Sequence, residues 1–176
     1  MCSNSLKKSL SLCIIALAMM IASTTVSAQG FRVGGGIVIG TEFDGVFGIQ
    51  ASGVYPLLEE QGIDLAADIS IYFPDSPPGV DFSLFAINAN GHYNFTESET
   101  LMAYAIAGLN FAFGEIGLDL GEFGSTSGDF SDVGLNLGAG VEFAMPFGYI
   151  YAQGKVVAGG IGQFVASGGV RFPIGD

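Results

Sequence analysis

The stretch Val133-Gly134-Leu135-Asn136-Leu137-Gly138-Ala139-Gly140-Val141-Glu142-Phe143-Ala144 decides the fold. Its odd positions are apolar and its even positions are small or polar, and this strict period of two belongs to a β-strand with two unlike faces. Outward from it, the same period returns at 31–40, 46–55, 63–73, 84–94, 102–113, 149–157 and 163–172. Turn-forming stretches such as Thr41–Gly45, Asp75–Asp81 and Thr96–Thr100 separate the strands. Eight short strands at this density make an all-β, antiparallel up-and-down arrangement.

What the two faces carry distinguishes the architectures open to such a chain. One face collects Phe31, Ile37, Phe47, Ile69, Phe85, Leu109, Leu137, Val156 and Phe172 with their strand mates, and holds no charge. The other is rich in small residues, among them Gly34, Gly36, Gly48, Ala66, Gly108, Gly138 and Gly169. It also holds six charges: Arg32, Asp64, Asp68, Glu142, Lys155 and Arg171. A soluble lipocalin-like barrel would turn the apolar face inward, and a transmembrane barrel would turn it to lipid. The apolar face has eleven aromatic rings, too bulky for an eight-stranded interior. The opposite face is too poor in charge for a water-exposed surface. An eight-stranded transmembrane β-barrel is therefore expected, with the six charges pairing inside it because buried charges need partners. Aromatics at both strand ends (Phe31, Tyr55, Tyr93, Phe143, Phe172 and Phe47, Phe73, Phe85, Phe113, Phe164) match the girdles of a barrel wall.

The first 28 residues read differently. Lys7 and Lys8 precede a largely apolar run from Leu10 to Ala22, and small residues ending in Val26-Ser27-Ala28 follow, the pattern of a secretory signal peptide cut before Gln29. Residues 29–176 then form the barrel domain. Both cysteines, Cys2 and Cys13, fall in the signal, and Cys13 follows Leu12 rather than the small residue a lipid-anchoring signal uses. Removing the signal leaves 17 acids, 28 glycines and three bases, a net charge of −14. Such a charge excludes nucleic acid as a partner.

Ala103-Tyr104-Ala105-Ile106-Ala107-Gly108-Leu109-Asn110, Gly138-Ala139-Gly140-Val141-Glu142-Phe143 and the closing Gly168-Gly169-Val170-Arg171-Phe172 resemble the small eight-stranded outer-membrane β-barrel proteins of Gram-negative bacteria, similar to the transmembrane domain of outer-membrane protein A. The resemblance covers about Gly30 to Phe172. It implies a location in the Gram-negative outer membrane, contact with outer-membrane lipid, insertion by the barrel-assembly machinery, and both chain ends on the periplasmic side. Family members end on an aromatic residue, whereas Phe172 is followed by Pro173-Ile174-Gly175-Asp176. With that orientation the longest connection, expected over Gly114–Asp132, faces outward. The acids outside the strand interiors are expected in loops, turns and the tail, nine of them (Glu42, Asp44, Asp75, Asp81, Glu115, Asp119, Glu122, Asp129, Asp132) on the outer rim.

Chemistry is sparse. His92, the single histidine, is expected to point into the barrel among Asn88, Asn90 and Asn94 as a hydrogen-bonded interior residue. One histidine and no mature cysteine leave a histidine-dependent triad with one member and a zinc site with too few ligands. Asp119, Glu122, Asp129 and Asp132 lack an ordered Asp-x-Asp spacing for a cation. No catalytic residue, cofactor or metal is expected. The function expected is structural or surface-interacting, with the acidic loops meeting an extracellular partner. A narrow pore lined by the six interior charges is the alternative, and an outer-membrane enzyme or soluble binder fits less well.

Overall fold

The alternating stretch 133–144 lies inside one strand of 21 residues in the computed structural model. The structure describes residues 30–41, 45–77, 79–98, 100–119, 124–159 and 162–175. The signal segment lies outside them, as do Glu42, Asp44 and Glu122. The strands are β1 (Phe31–Gly40), β2 (Val46–Leu58), β3 (Ile63–Phe73), β4 (Val80–Glu97), β5 (Leu101–Asp119), β6 (Ser125–Met145), β7 (Gly148–Ala158) and β8 (Gln163–Ile174). Each pairs antiparallel with its sequence neighbours, and β1 pairs with β8 to close the barrel. Closure removes the sheet edges, leaving the backbone polar groups of the wall satisfied.

Burial alternates as the sequence requires. Along β2 and β3 the even positions Gly48, Gln50, Ser52, Asp64, Asp68 and Ser70 are buried, while Phe47, Ile49, Leu65 and Ile71 face outward and are exposed. Every large apolar residue on the outward face would cost free energy in water, so this surface belongs in hydrocarbon. The aromatic girdles are present. Phe47–Phe73 and Phe85–Phe113 are ring pairs with centroids 6.4 and 4.9 Å apart near one end of the wall. Tyr93, Phe143 and Phe172, joined by Phe95 and Phe147, are exposed near the other.

Small residues make the tight closure possible. Gly36 of β1 faces Gly169 of β8 across the seam. A Cβ at Gly36 would lie 2.7 Å from the Tyr151 hydroxyl, and one at Gly169 would collide with the backbone of Gly35. Glycine there clears room for the bulky tyrosines and arginines of the interior. At the end of the barrel that carries the termini, the link from β2 to β3 is a single 3-10 turn, Glu59–Gln61, closed by Gly62 in the left-handed conformation at φ 64°.

One expectation needs correction. Gly114–Asp132 is not a long loop, because β5 runs on to Asp119 and β6 begins at Ser125. Asp81, Glu97, Glu115, Asp119, Asp129 and Asp132 consequently lie in strands rather than in loops or turns. Backbone pairing continues beyond the apolar wall, with Ser83, Glu115 and Asp129 in register across three strands. The alternation reverses its polarity there, which hides the strands from a search for one apolar face of constant phase.

Candidate functional site

The barrel interior is layered along its axis. Nearest the termini, β1, β3, β6 and β8 bring Arg32, Asp64, Glu142 and Arg171 together, each at an inward position of its strand. The Arg32 guanidinium donates to the Asp64 carboxylate at 2.8 Å and lies 3.6 Å from Glu142. Arg171 pairs with the other oxygen of Glu142 and donates to the Ser52 hydroxyl at 3.3 Å. Both guanidiniums also rest on aromatic faces, Arg171 at 3.9 Å from the Tyr151 ring centre and Arg32 at 5.3 Å from that of Tyr149. Two cations and two anions balance, which buried charge requires.

The middle layer centres on Asp68. Gln50 and Asn88 each donate to its Oδ1 at 2.7 Å, Asn90 donates to its Oδ2 at 3.4 Å, and Lys155 lies 3.7 Å away as its counter-charge. Asn136 bridges the carbonyls of Asn88 and Asn90, and Asn110 also donates to Asn88. His92 stacks on Tyr104 with centroids 4.4 Å apart, an interior position as expected. The six interior charges thus separate into a four-charge cluster and the Lys155–Asp68 pair. The amides Gln50, Asn110, Asn136 and Gln153 join this network from inward strand positions; the period of two places them inside but does not mark them as partners of the charges.

The layer farthest from the termini is apolar. Val38, Val46, Tyr72, Leu84, Ala86, Val157 and Val165 form a buried cluster against which Phe82 and Phe130 pack. A cavity of about 210 Å³ opens at the opposite, charged end, lined by Arg32, Glu142, Tyr149, Ser98 and Thr100. It stops short of the apolar layer.

Above that apolar layer β4, β5 and β6 continue as a three-stranded flap. The face continuous with the lipid-facing wall becomes polar, with Asp81, Ser83, Glu115, Ser127, Asp129 and Ser131. The face continuous with the interior becomes largely apolar, with Val80, Phe82, Leu84, Ile116, Leu118 and Phe130, and Thr126 and Asp132 as its polar members. The Phe82 and Phe130 rings stack 6.2 Å apart across Gly114, where a side chain would collide with Phe130. Asp129 and Asp132 fall on opposite faces of β6, and Asp132 accepts from the backbone N–H of Val133 at 2.8 Å. Among the described residues no three His, Cys, Asp or Glu side chains converge as a metal site would need.

No protein-family model matches the sequence, and no curated protein matches it either. Among solved structures, the chain is similar to the N-terminal β-barrel domain of OprF from Pseudomonas aeruginosa at 21% identity, over 80% of this chain and 96% of that one, with a TM-score of 0.57. It is similar to Neisserial surface protein A at 22% identity, over 82% and 97% of the two chains, with a TM-score of 0.61. The attachment invasion locus protein Ail of Yersinia pestis, in complex with the heparin analogue sucrose octasulfate, is similar at 18% identity over 81% and 96%, with a TM-score of 0.54. The chain therefore has the fold of the small eight-stranded outer-membrane β-barrels.

Proposed function

We propose that this protein is an integral outer-membrane barrel of a Gram-negative bacterium, exported with a cleaved signal peptide and inserted by the barrel-assembly machinery. Its role is non-catalytic: to hold an acidic three-stranded flap outside the cell for contact with an extracellular partner. The reversal of polarity between wall and flap carries this reading. Residues 133–143 of β6 put their apolar phase outward, whereas Ser127, Asp129 and Ser131, in the same phase, are hydrophilic. A strand that crosses from hydrocarbon into water needs such a change. The interior charges hold the barrel shut as a structural network.

The pore reading draws on the same six charges and on the cavity at Arg32. Against it stands the apolar layer around Val38, Leu84 and Val157, which leaves an ion without a polar path to the outer mouth. Nor does the sulfated ligand of Ail transfer readily. Arg32, Lys155 and Arg171 are the bases beyond the signal, and all three are buried in the barrel, so the outer surface offers a polyanion no cation.

The test is outer-membrane fractionation with gel mobility compared before and after boiling, followed by shaving of intact cells with a protease that cuts after Glu. The reading expects an outer-membrane, heat-modifiable band that is cleaved near Glu115 or Glu122. A carbonate-extractable protein, or a flap shielded in intact cells, would refute it.

A further inference from the structure

We infer that Asn90-Gly91 is a spontaneous deamidation site of the unfolded chain, that closure of the barrel seals it, and that a chain deamidated there can no longer close. This depends on the barrel alone and not on what the flap meets. Asn90 is followed by glycine, whereas Asn88, Asn94, Asn110 and Asn136 precede Ala89, Phe95, Phe111 and Leu137. The difference matters because deamidation begins when the backbone nitrogen of the next residue attacks the side-chain Cγ, and a Cβ on that residue crowds the approach. The bond from the Gly91 nitrogen to Asn90 Cγ forms, the Cγ–Nδ2 bond breaks, and ammonia leaves with the proton of the Gly91 nitrogen. Water then opens the succinimide at one carbonyl or the other, leaving an aspartyl or an isoaspartyl residue at position 90.

In the folded barrel this reaction has no room. Gly91 lies within β4, paired with Leu65 of β3 on one side and Ala107 of β5 on the other. Ring closure turns the backbone at Asn90 far from the ψ of about +135° that an antiparallel strand holds. The side chain is fixed as well: it is buried, its Nδ2 donates to Asp68 Oδ2 at 3.4 Å, and its Oδ1 accepts from Asn136 at 2.8 Å. Gly108 stands opposite, and a Cβ on it would lie 2.5 Å from that Oδ1, so the amide packs directly on the backbone of β5.

The same contacts make the products unacceptable. An aspartyl residue at 90 replaces a donor to Asp68 with a second carboxylate, in a layer where Lys155 is the counter-charge. A buried charge without its own partner is strongly destabilising. An isoaspartyl residue adds a carbon to the main chain and breaks the ladder with Ala66 and Gly108. Asn90 is therefore a timer on the unfolded chain. A chain that closes promptly keeps the amide, and one that waits loses the ability to close.

The experiment ages the urea-unfolded chain without its signal at mildly alkaline pH and transfers samples at intervals into lipid vesicles. Unboiled gel mobility reads folding, and fragmentation of peptides cut after Glu locates the deamidated residue by mass. Deamidation is expected at Asn90 ahead of every other asparagine, and the folded barrel, which reacts only when it opens, should deamidate about a thousandfold or more slowly. Gly91→Ala should slow the reaction about tenfold or more and keep the aged chain competent to fold. That variant is tolerated by the barrel, since Gly91 faces outward and a Cβ there meets only the Ala107 carbonyl oxygen at an ordinary 3.7 Å. Asn90→Asp should lose the folded band without ageing, and the folded band of an aged sample should hold only the amide at 90. A folded band as deamidated as the sample it came from, full folding of Asn90→Asp, equal reaction at the other asparagines, equal rates in folded and unfolded chains, or equal loss of competence by Gly91→Ala would each overturn the proposal.

Discussion

Replacing Glu142 by Gln should weaken the barrel more than any other single isosteric change in its interior. Glu142 is 1% exposed and is the anion shared by Arg171 and Arg32. Arg32 keeps its 2.8 Å partner Asp64, but Arg171 keeps no anion, only neutral partners: the Ser52 and Tyr104 hydroxyls and the Tyr151 ring. Removing one partner of a buried pair typically costs 3–5 kcal/mol. The remaining ring contact offsets part of this, since a desolvated cation–π contact contributes about 2 kcal/mol. With the amide filling the same volume, the loss is expected at about 3 kcal/mol, roughly two powers of ten in the folding equilibrium. The double variant Glu142→Leu with Arg171→Met removes the charge and its partner together, and should recover most of that loss. Urea unfolding in lipid vesicles, followed by circular dichroism because the chain has no Trp, measures both. A cost below about 1 kcal/mol for Glu142→Gln, or a double variant no more stable than the single one, would refute a tightly coupled ion cluster.

Further expectations follow from where the charges lie. Folded protein lacking the signal should resist trypsin completely, because Arg32, Lys155 and Arg171 are 9%, 2% and 1% exposed, and boiling should release four fragments at those three sites; limited digestion on a gel reads this. Planar-bilayer recordings should show no reproducible conductance, and a channel abolished by Asp68→Ala would overturn the closed lumen. Sucrose octasulfate should fail to bind in isothermal calorimetry at low salt, since the flap carries acids and no base, and Arg32, Lys155 and Arg171 are buried. Lys155→Met should destabilise less than Glu142→Gln, because Asp68 retains hydrogen bonds from Gln50 and Asn88 at 2.7 Å.

Much of this molecule is legible in its sequence because a barrel wall obeys one rule for its whole length. The bounds of β1 and β3 follow directly from the alternation at 31–40 and 63–73. The inward phase of Arg32, Asp64, Asp68, Glu142, Lys155 and Arg171 does too. Which charge meets which depends on stagger between strands, and period alone cannot supply that: Glu142 serves two arginines, while Asp68 takes Lys155 and three amides. The flap is less visible because its phase is inverted and because glycine and serine at Gly114, Gly117, Ser125, Ser127 and Gly128 have weak strand preference. Pairing with neighbours, rather than local propensity, makes these residues strands.

The orientation of β6 can be measured residue by residue, since the chain beyond its signal has no cysteine. Single cysteines placed in turn at the outward positions from Ser127 to Val141, spin-labelled in vesicles, report contact with oxygen dissolved in lipid or with a water-soluble nickel complex. Labels at Leu135, Leu137, Ala139 and Val141 should see oxygen, and those at Ser127, Asp129 and Ser131 the nickel complex. Nickel contact at Leu135, Leu137 and Ala139 would instead put that face in water and contradict a lipid-embedded wall.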